Sequence, residues 1–278
     1  MTTQMRNGIL GLLCGLFIAP CLFAKEADGN AERQSVEILK KIELNRNNEK
    51  ELSKLLPIVK CSFKPTKYEQ ILISQLRNSE SSTKQFRTVS EKVSDLLVSK
   101  VISCLPTRTV EIDTPVTKCQ GEVLAGRVEL VSIMRSGDAL LDTFMKHFPD
   151  ANISKFLVQR DEKTAEPHFK YMKVSSELAS GNTVVITEPM IGTGGTLEMV
   201  LSMLKEKGVR EENIIIASVC VAPEGLVRLS QKFPKINVVM TVLDEKLNER
   251  KFIVPGLGDF GDRYFGTLEH QLASSDKP

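Results

Sequence analysis

Thr183-Val184-Val185-Ile186-Thr187-Glu188-Pro189-Met190-Ile191-Gly192-Thr193-Gly194-Gly195-Thr196 is an apolar run that ends in an acid and then a turn of Gly and Thr. The turn opens into Thr196 to Lys207, which is amphipathic at helical spacing and is stopped by Gly208. A continuous apolar strand running straight into such a turn and helix is the repeating unit of a parallel sheet covered on both faces. In open sheets of that kind ligands bind at the carboxyl ends of the strands. Backbone N–H groups at the helix start form an anion cradle, to which the helix adds about half a positive charge. Gly194 and Gly195 let the backbone approach a phosphate closely, and Thr193 and Thr196 offer hydroxyl donors. No Lys follows the glycines as a P-loop requires, and Gly192-Thr193-Gly194-Gly195 is not the GxGxxG of dinucleotide sites. A Gly-rich turn by itself is equally the mark of a tight structural corner. Glu188, five residues before Thr193, sharpens the pattern, since an acid there can accept hydrogen bonds from vicinal hydroxyls while the turn holds a phosphate. The pair asks for a ribose phosphate.

The same alternation extends on both sides. Upstream, Arg127 to Met134 and Ile153 to Gln159 are strand-like, with Ala139 to Phe148 helical between them. Downstream, Asn213 to Val221 is an almost wholly apolar strand, Pro223 to Lys232 suits a helix and Ile236 to Leu243 a further strand. Thr83 to Leu105 has helical spacing, and Val110 to Val123 a β-branched composition with Pro115, as in a short strand or hairpin. From Pro57 the pattern is globular, and after Leu243 it is loop-like and rich in Gly and charge.

At 278 residues the chain is ordinary in composition, and its net charge of +2 gives no reason to expect a nucleic-acid partner. Any anion site is therefore local. Within residues 1–24, Arg6 is followed by an apolar run from Ile9 to Ala24, and no acid comes before Glu26. That describes a secretory signal peptide or another targeting leader, with an uncleaved anchor as the alternative. Residues 25–54 are polar and read as a linker or an N-terminal helix, leaving residues 55–278 as the globular domain. Cys61, Cys104, Cys119 and Cys220 are widely spaced, as buried free thiols are, although an exported chain permits disulfides among them. His147, His168 and His270 stand at no metal-ligand spacing, which argues against zinc.

Glu188 to Thr196 resembles the phosphoribosyl pyrophosphate signature of the type I phosphoribosyltransferases, and Pro189-Met190 beside the acid resembles the uracil phosphoribosyltransferase family. Similar stretches extend from about Leu56 to Thr267. Ser82-Thr83-Lys84-Gln85-Phe86-Arg87 matches an N-terminal segment, Arg135-Ser136-Gly137 the Arg-Ala-Gly loop, and Gln159-Arg160-Asp161-Glu162 with Thr164-Ala165-Glu166-Pro167 the arm that follows. Ala222-Pro223-Glu224-Gly225 and Phe252 to Thr267 complete it. Within the latter, Asp259-Phe260-Gly261-Asp262-Arg263-Tyr264-Phe265-Gly266 looks like the eukaryotic branch.

The resemblance implies a central parallel sheet flanked by helices, with a small hood from terminal segments, and transfer of ribose 5-phosphate to uracil. It implies that Arg135 and Arg160 hold pyrophosphate, a task that suits the planar guanidinium. Glu188 then faces the ribose hydroxyls, Gly192, Thr193, Gly194, Gly195 and Thr196 bind the 5'-phosphate, and Pro189, Met190 and Ile191 belong to the same phosphoribosyl pyrophosphate site. Asp259 lies near pyrophosphate and Mg2+, an ion held mainly by pyrophosphate rather than by direct protein ligands. Main-chain groups of Ile253, Gly258 and Phe260, with Asp259, read uracil, and Arg135 and Asp259 are the catalytic pair. A homo-oligomer, dimeric or tetrameric, and GTP as an effector follow from some relatives. Asp161-Glu162-Lys163 reads as a solvated turn or an arm over the site, and His168 as an ordinary strand residue.

Two residues depart from the family pattern: Glu188 replaces Asp, adding a methylene, and Ser136 replaces Ala. The leader suggests export, periplasmic or secreted, whereas the co-substrate is cytosolic. An active enzyme and a ligand-binding homologue with little or no turnover are therefore both open from sequence.

Overall fold

The computed structural model describes residues 19–161 and 166–267. Four helices come first: α1 (Ala19–Leu44), α2 (Glu49–Leu55), α3 (Lys67–Arg77) and α4 (Thr83–Ile102). A hairpin of β1 (Thr107–Asp113) and β2 (Lys118–Leu124) follows. The alternating region comprises β3 (Val128–Met134), α5 (Asp138–His147), β4 (Asn152–Arg160), β5 (Pro167–Lys173), β6 (Thr183–Thr187), β7 (Met190–Ile191), α6 (Gly195–Glu206), β8 (Ile214–Val221), α7 (Pro223–Lys232) and β9 (Asn237–Leu243). The C-terminal segment adds β10 (Lys246–Leu247), β11 (Ile253–Val254) and α8 (Phe260–Phe265). The first eighteen residues of the leader, and residues 162–165 of the expected arm, lie outside the described residues.

The main sheet runs β5-β4-β3-β6-β8, with β7 continuing the β6 side of β8 and β9 on the other side. Every pairing is parallel except that of β4 with β5. That exception departs from the expected all-parallel sheet and follows from a short connection. Only six residues separate Arg160 from Pro167, far fewer than a parallel crossover needs.

Alternate residues of the central strands point to opposite faces and build two cores. Val131 and Ile133 of β3, Val184 and Ile186 of β6, and Ile214 and Ile216 of β8 pack beneath α1, α2, α6 and α7. Leu130, Val185, Ile215 and Ala217 pack beneath α3, α4, α5 and α8. This is why those strands read as unbroken apolar runs.

Helix starts have local causes. Thr66 and Ser82 each form a capping box, with Glu69 and Gln85 as third-position partners, so α3 and α4 begin with their first N–H groups satisfied. In α1 and α2, Ile42 and Leu52 are buried against the sheet. The segment after Leu243 is not simply loop, as its Gly and charge content suggested. It contains β10, β11 and α8, each too short to leave a periodic signature. No helix among the described residues is long and apolar enough to cross a membrane.

The hairpin contrasts with the sheet, since its strands are exposed along nearly their whole length. Ile216→Ala, at a fully buried position of β8, should therefore cost about 2–5 kcal/mol of stability. Val116→Ser, at a position 94% exposed in the hairpin turn, should change stability by less than about 0.5 kcal/mol. Urea unfolding of both variants checks this, and similar midpoints would contradict the described core.

Candidate active site

β3, β4 and β6 run parallel, so their carboxyl ends release three loops at one edge of the sheet. The C-terminal segment lies over that edge, and between them is a cleft of about 640 Å³. Arg135, Arg160, Glu188, Met190, Gly192 and Thr196 line one part of it. Ile253, Gly258, Asp259 and Phe260 line the other.

Glu188 lies at the end of β6 and is only 6% exposed. Ser136 Oγ donates to Glu188 Oε1 at 3.2 Å. Burial pushes the Glu188 carboxyl up to about 7, with Asp259 adding to the rise and Arg160, the Ser136 hydroxyl and the Met190 backbone opposing it. The two departures from the family pattern are thus bonded to each other: the hydroxyl that replaces a methyl reaches the carboxylate that is one methylene longer.

The turn after β7 puts Gly194 at φ 77°, in the left-handed region that favours glycine. Gly194 is the N-cap of α6 and has no side chain to satisfy the first-turn N–H groups. The Gly195 N–H donates to Thr193 Oγ1 at 3.4 Å, and N–H groups of a helix first turn form a cradle for an anion. Thr196, 6% exposed in the first turn, accepts from Arg160 Nε at 3.1 Å through its hydroxyl, which fixes the end of β4 against α6.

Arg135, expected to hold pyrophosphate, also has partners within the chain. Its Nη2 pairs with Asp262 Oδ1 at 2.6 Å, and Nη1 donates to Thr267 Oγ1 at 3.0 Å. The Thr267 hydroxyl and the Arg135 guanidinium hold the Asp262 carboxyl below its ordinary range, against partial burial. The Arg135 side chain remains 54% exposed, so the guanidinium is tethered at the cleft rather than sealed away.

Pro189 and Ile191 face the sheet instead of the cleft. The Pro189 carbonyl accepts from Val219 and Cys220 N–H, and Ile191 is buried beside Val221. Thr193, Gly194 and Gly195 form the turn itself and lie outside the cleft lining. In the C-terminal loop the Val254–Pro255 peptide is cis and Gly256 adopts φ 60°. A methyl group on Gly256 would meet the Ile253 carbonyl oxygen at 2.2 Å, so only glycine fits that turn. Phe260 buries its ring edge-on against Phe86, with centroids 5.0 Å apart. Asp259 caps α8 by accepting from Asp262 N–H at 2.8 Å.

Sequence reasoning did not place Asp262, Thr267, Lys251 or Phe252 at the site. Asp262 lies within the run Gly261-Asp262-Arg263, but its pairing with a residue 127 positions away leaves no local signal. Among the described residues no group of three or more His, Cys, Asp or Glu is gathered as a metal centre.

The family model for uracil phosphoribosyltransferase matches residues 64–267. A uracil phosphoribosyltransferase of Dictyostelium discoideum is 39% identical over 70% of this chain and 91% of its own length. One from Lactococcus lactis is 38% identical over 70% and 92%. Among solved structures, a protein of Aquifex aeolicus superposes with a TM-score of 0.67 at 27% identity, over 74% of this chain and 97% of that one. With the fold, the cleft and these likenesses in agreement, the chain belongs to the uracil phosphoribosyltransferase family.

Proposed function

We propose that this chain joins uracil to the ribose 5-phosphate of phosphoribosyl pyrophosphate, releasing UMP and pyrophosphate, as a step of pyrimidine salvage. The observation that carries the reading is the convergence, on one cleft, of an uncapped helix start, two arginines and a buried carboxyl facing a glycine-rich loop. In the reaction the bond from ribose C1 to the pyrophosphate oxygen breaks and a bond from uracil N1 to C1 forms, with loss of the N1 proton. Charge builds on the leaving group while the ribose becomes cation-like. The chain must therefore hold anions in place and keep water from C1.

Each wall has a task in this reading. The start of α6 takes the 5'-phosphate, and Glu188 accepts from the ribose hydroxyls. Arg135 and Arg160 hold pyrophosphate, and main-chain groups of Ile253, Gly258 and Phe260 meet the carbonyl–N–H–carbonyl edge of uracil. Asp259 offers a hard carboxylate oxygen but belongs to no multidentate cluster among the described residues. That donor set suits Mg2+, which keeps its waters and binds through one carboxylate together with substrate phosphates. Bound there, the ion would offset the charge of the leaving pyrophosphate.

Ser136 supports turnover over a binding-only role, because it gives the longer Glu188 a donor that steadies it. The catalytic unit in this reading is residues 55–278, working as a homo-oligomer, with GTP as an effector. The leader's destination must supply phosphoribosyl pyrophosphate.

UMP formation from uracil, phosphoribosyl pyrophosphate and Mg2+ by protein lacking residues 1–24 tests the assignment. Folded protein that binds both substrates without turnover would leave only a binding homologue. Arg135→Ala should lower kcat/KM by about 10²–10³-fold. Its ligand-free melting temperature should hardly move, because the half-exposed pair with Asp262 contributes about 0–1 kcal/mol. A drop in melting temperature matching the loss of turnover would make Arg135 structural.

The Glu188 carboxyl sets a pH dependence. Its folded-state value, about 7, lies above the ordinary 4.5, so folding takes up a proton between these limits. Its contribution to ligand-free stability is complete below 4.5 and is lost as pH rises through 7. Recognition of hydroxyls by the carboxylate runs the other way, and kcat/KM for phosphoribosyl pyrophosphate should rise through pH 7. Ser136→Ala removes a donor to the ionised form and should move that midpoint upward. Superimposable pH profiles for the two proteins would exclude Ser136 as a partner of the acid.

A further inference from the structure

The loop read above as the uracil edge, from Val254 to Phe260, is held from behind by a buried polar network that touches neither arginine of the cleft nor the start of α6. Asp244, immediately after β9, is 2% exposed. Its Oδ2 accepts from Gly256 N–H at 2.9 Å and from the Cys220 thiol at 2.9 Å. Burial, with the carboxylate beside it, pushes the Cys220 thiol up, so the thiol stays protonated and donates. Oδ1 of Asp244 forms an ion pair with Arg77 in the last turn of α3. The Asp244 carbonyl accepts from Arg46 Nη1 at 3.1 Å.

A second arginine makes a parallel connection. Arg263, 8% exposed, donates through Nη1 to the Leu257 carbonyl at 2.6 Å and to the Leu76 carbonyl. Its Nη2 donates to the Asn78 carbonyl at 2.6 Å, and the guanidinium lies 4.3 Å from the centre of the Phe86 ring. Leu76, Arg77 and Asn78 at the end of α3 are thus each joined to the segment that carries Gly256 and Leu257.

Buried ion pairs are poor stabilisers, because desolvation takes back what attraction gives, and an apolar pair of similar volume does as well or better. What such a pair does supply is direction. Asp244 fixes the N–H of Gly256, and Arg263 fixes the carbonyl of the next residue. Those two peptide groups set the course of the backbone that enters the cleft at Gly258.

We propose that Asp244, paired with Arg77, is a positioning residue for base recognition, holding the main chain of the Val254–Phe260 loop in the conformation that meets uracil. The proposal rests on that loop being the uracil edge. Apart from Asp259, the residues read as holding phosphoribosyl pyrophosphate (Arg135, Arg160, Glu188 and the start of α6) lie on other elements, which separates the effects.

Steady-state kinetics of Asp244→Asn, Arg77→Gln and Arg77→Lys, with melting temperatures and titration of phosphoribosyl pyrophosphate binding, test it. KM for uracil should rise roughly tenfold or more in Asp244→Asn and Arg77→Gln, and recover in Arg77→Lys. KM and affinity for phosphoribosyl pyrophosphate should stay within about twofold. If Asp244→Asn does not fold, Arg77→Gln carries the test, since the Arg77 side chain reaches solvent. Folded variants with unchanged KM for uracil, or with both KM values rising together in step with lost melting temperature, would overturn the proposal. Wild-type protein that forms no UMP from uracil would instead overturn the assignment of the loop, and the role of Asp244 with it.

Discussion

Parallel pairing of β3 with β4 and β6, and of β6 with β8, makes successive loops leave the sheet at one edge. This arrangement brings Arg135, Arg160 and Glu188 to a common cleft, because Arg160 is the last residue of its strand and Arg135 and Glu188 each stand just beyond the end of theirs. Parallel strands require crossovers, and the crossover helices must cover both faces. The two cores are therefore a consequence of the same pairing that assembles the site. The uncapped start of α6 is a third consequence, since that helix begins where the chain turns back from the ligand edge.

The apolar strands were legible because burial on both faces removes any need for alternation. The stretch from Thr183 to Thr196 was legible for a further reason: an acid, a glycine turn and a helix in direct succession have few other uses. What escaped reading was short or distant. α3 has a complete capping box, but its eleven residues carry a mixed face, with Tyr68 and Ile71 exposed. β10 and β11 have two residues each, below the length at which a period exists. The ties of Arg135 to Asp262 and of Arg77 to Asp244 join positions more than a hundred residues apart, and sequence spacing has nothing to say about them. The antiparallel turn of β5 was open to inference from the shortness of the 161–166 connection, a clue that apolar patterning alone does not use.

The Glu188 and Ser136 departures illustrate a different limit. Read singly, one lengthens an acid in a confined site and the other adds a hydroxyl near it, and neither has an evident purpose. Together they form a hydrogen bond at the end of β6. A buried carboxyl without a full cation partner is costly in its charged form. A neutral donor lowers that cost without neutralising the charge available to a ligand.

Phe260 lines the cleft with its ring sunk against Phe86. In the reading proposed above the base meets peptide groups, so it is recognised by the shape of the backbone, and the backbone is common to all residues. Mutation at such a loop has little to work with: most replacements leave the hydrogen-bonding edge as it was, and those that bend the chain disturb the core beneath. Divergence toward another nucleobase would thus have to proceed by insertion, deletion or re-anchoring of the loop, not by exchanging one side chain for another.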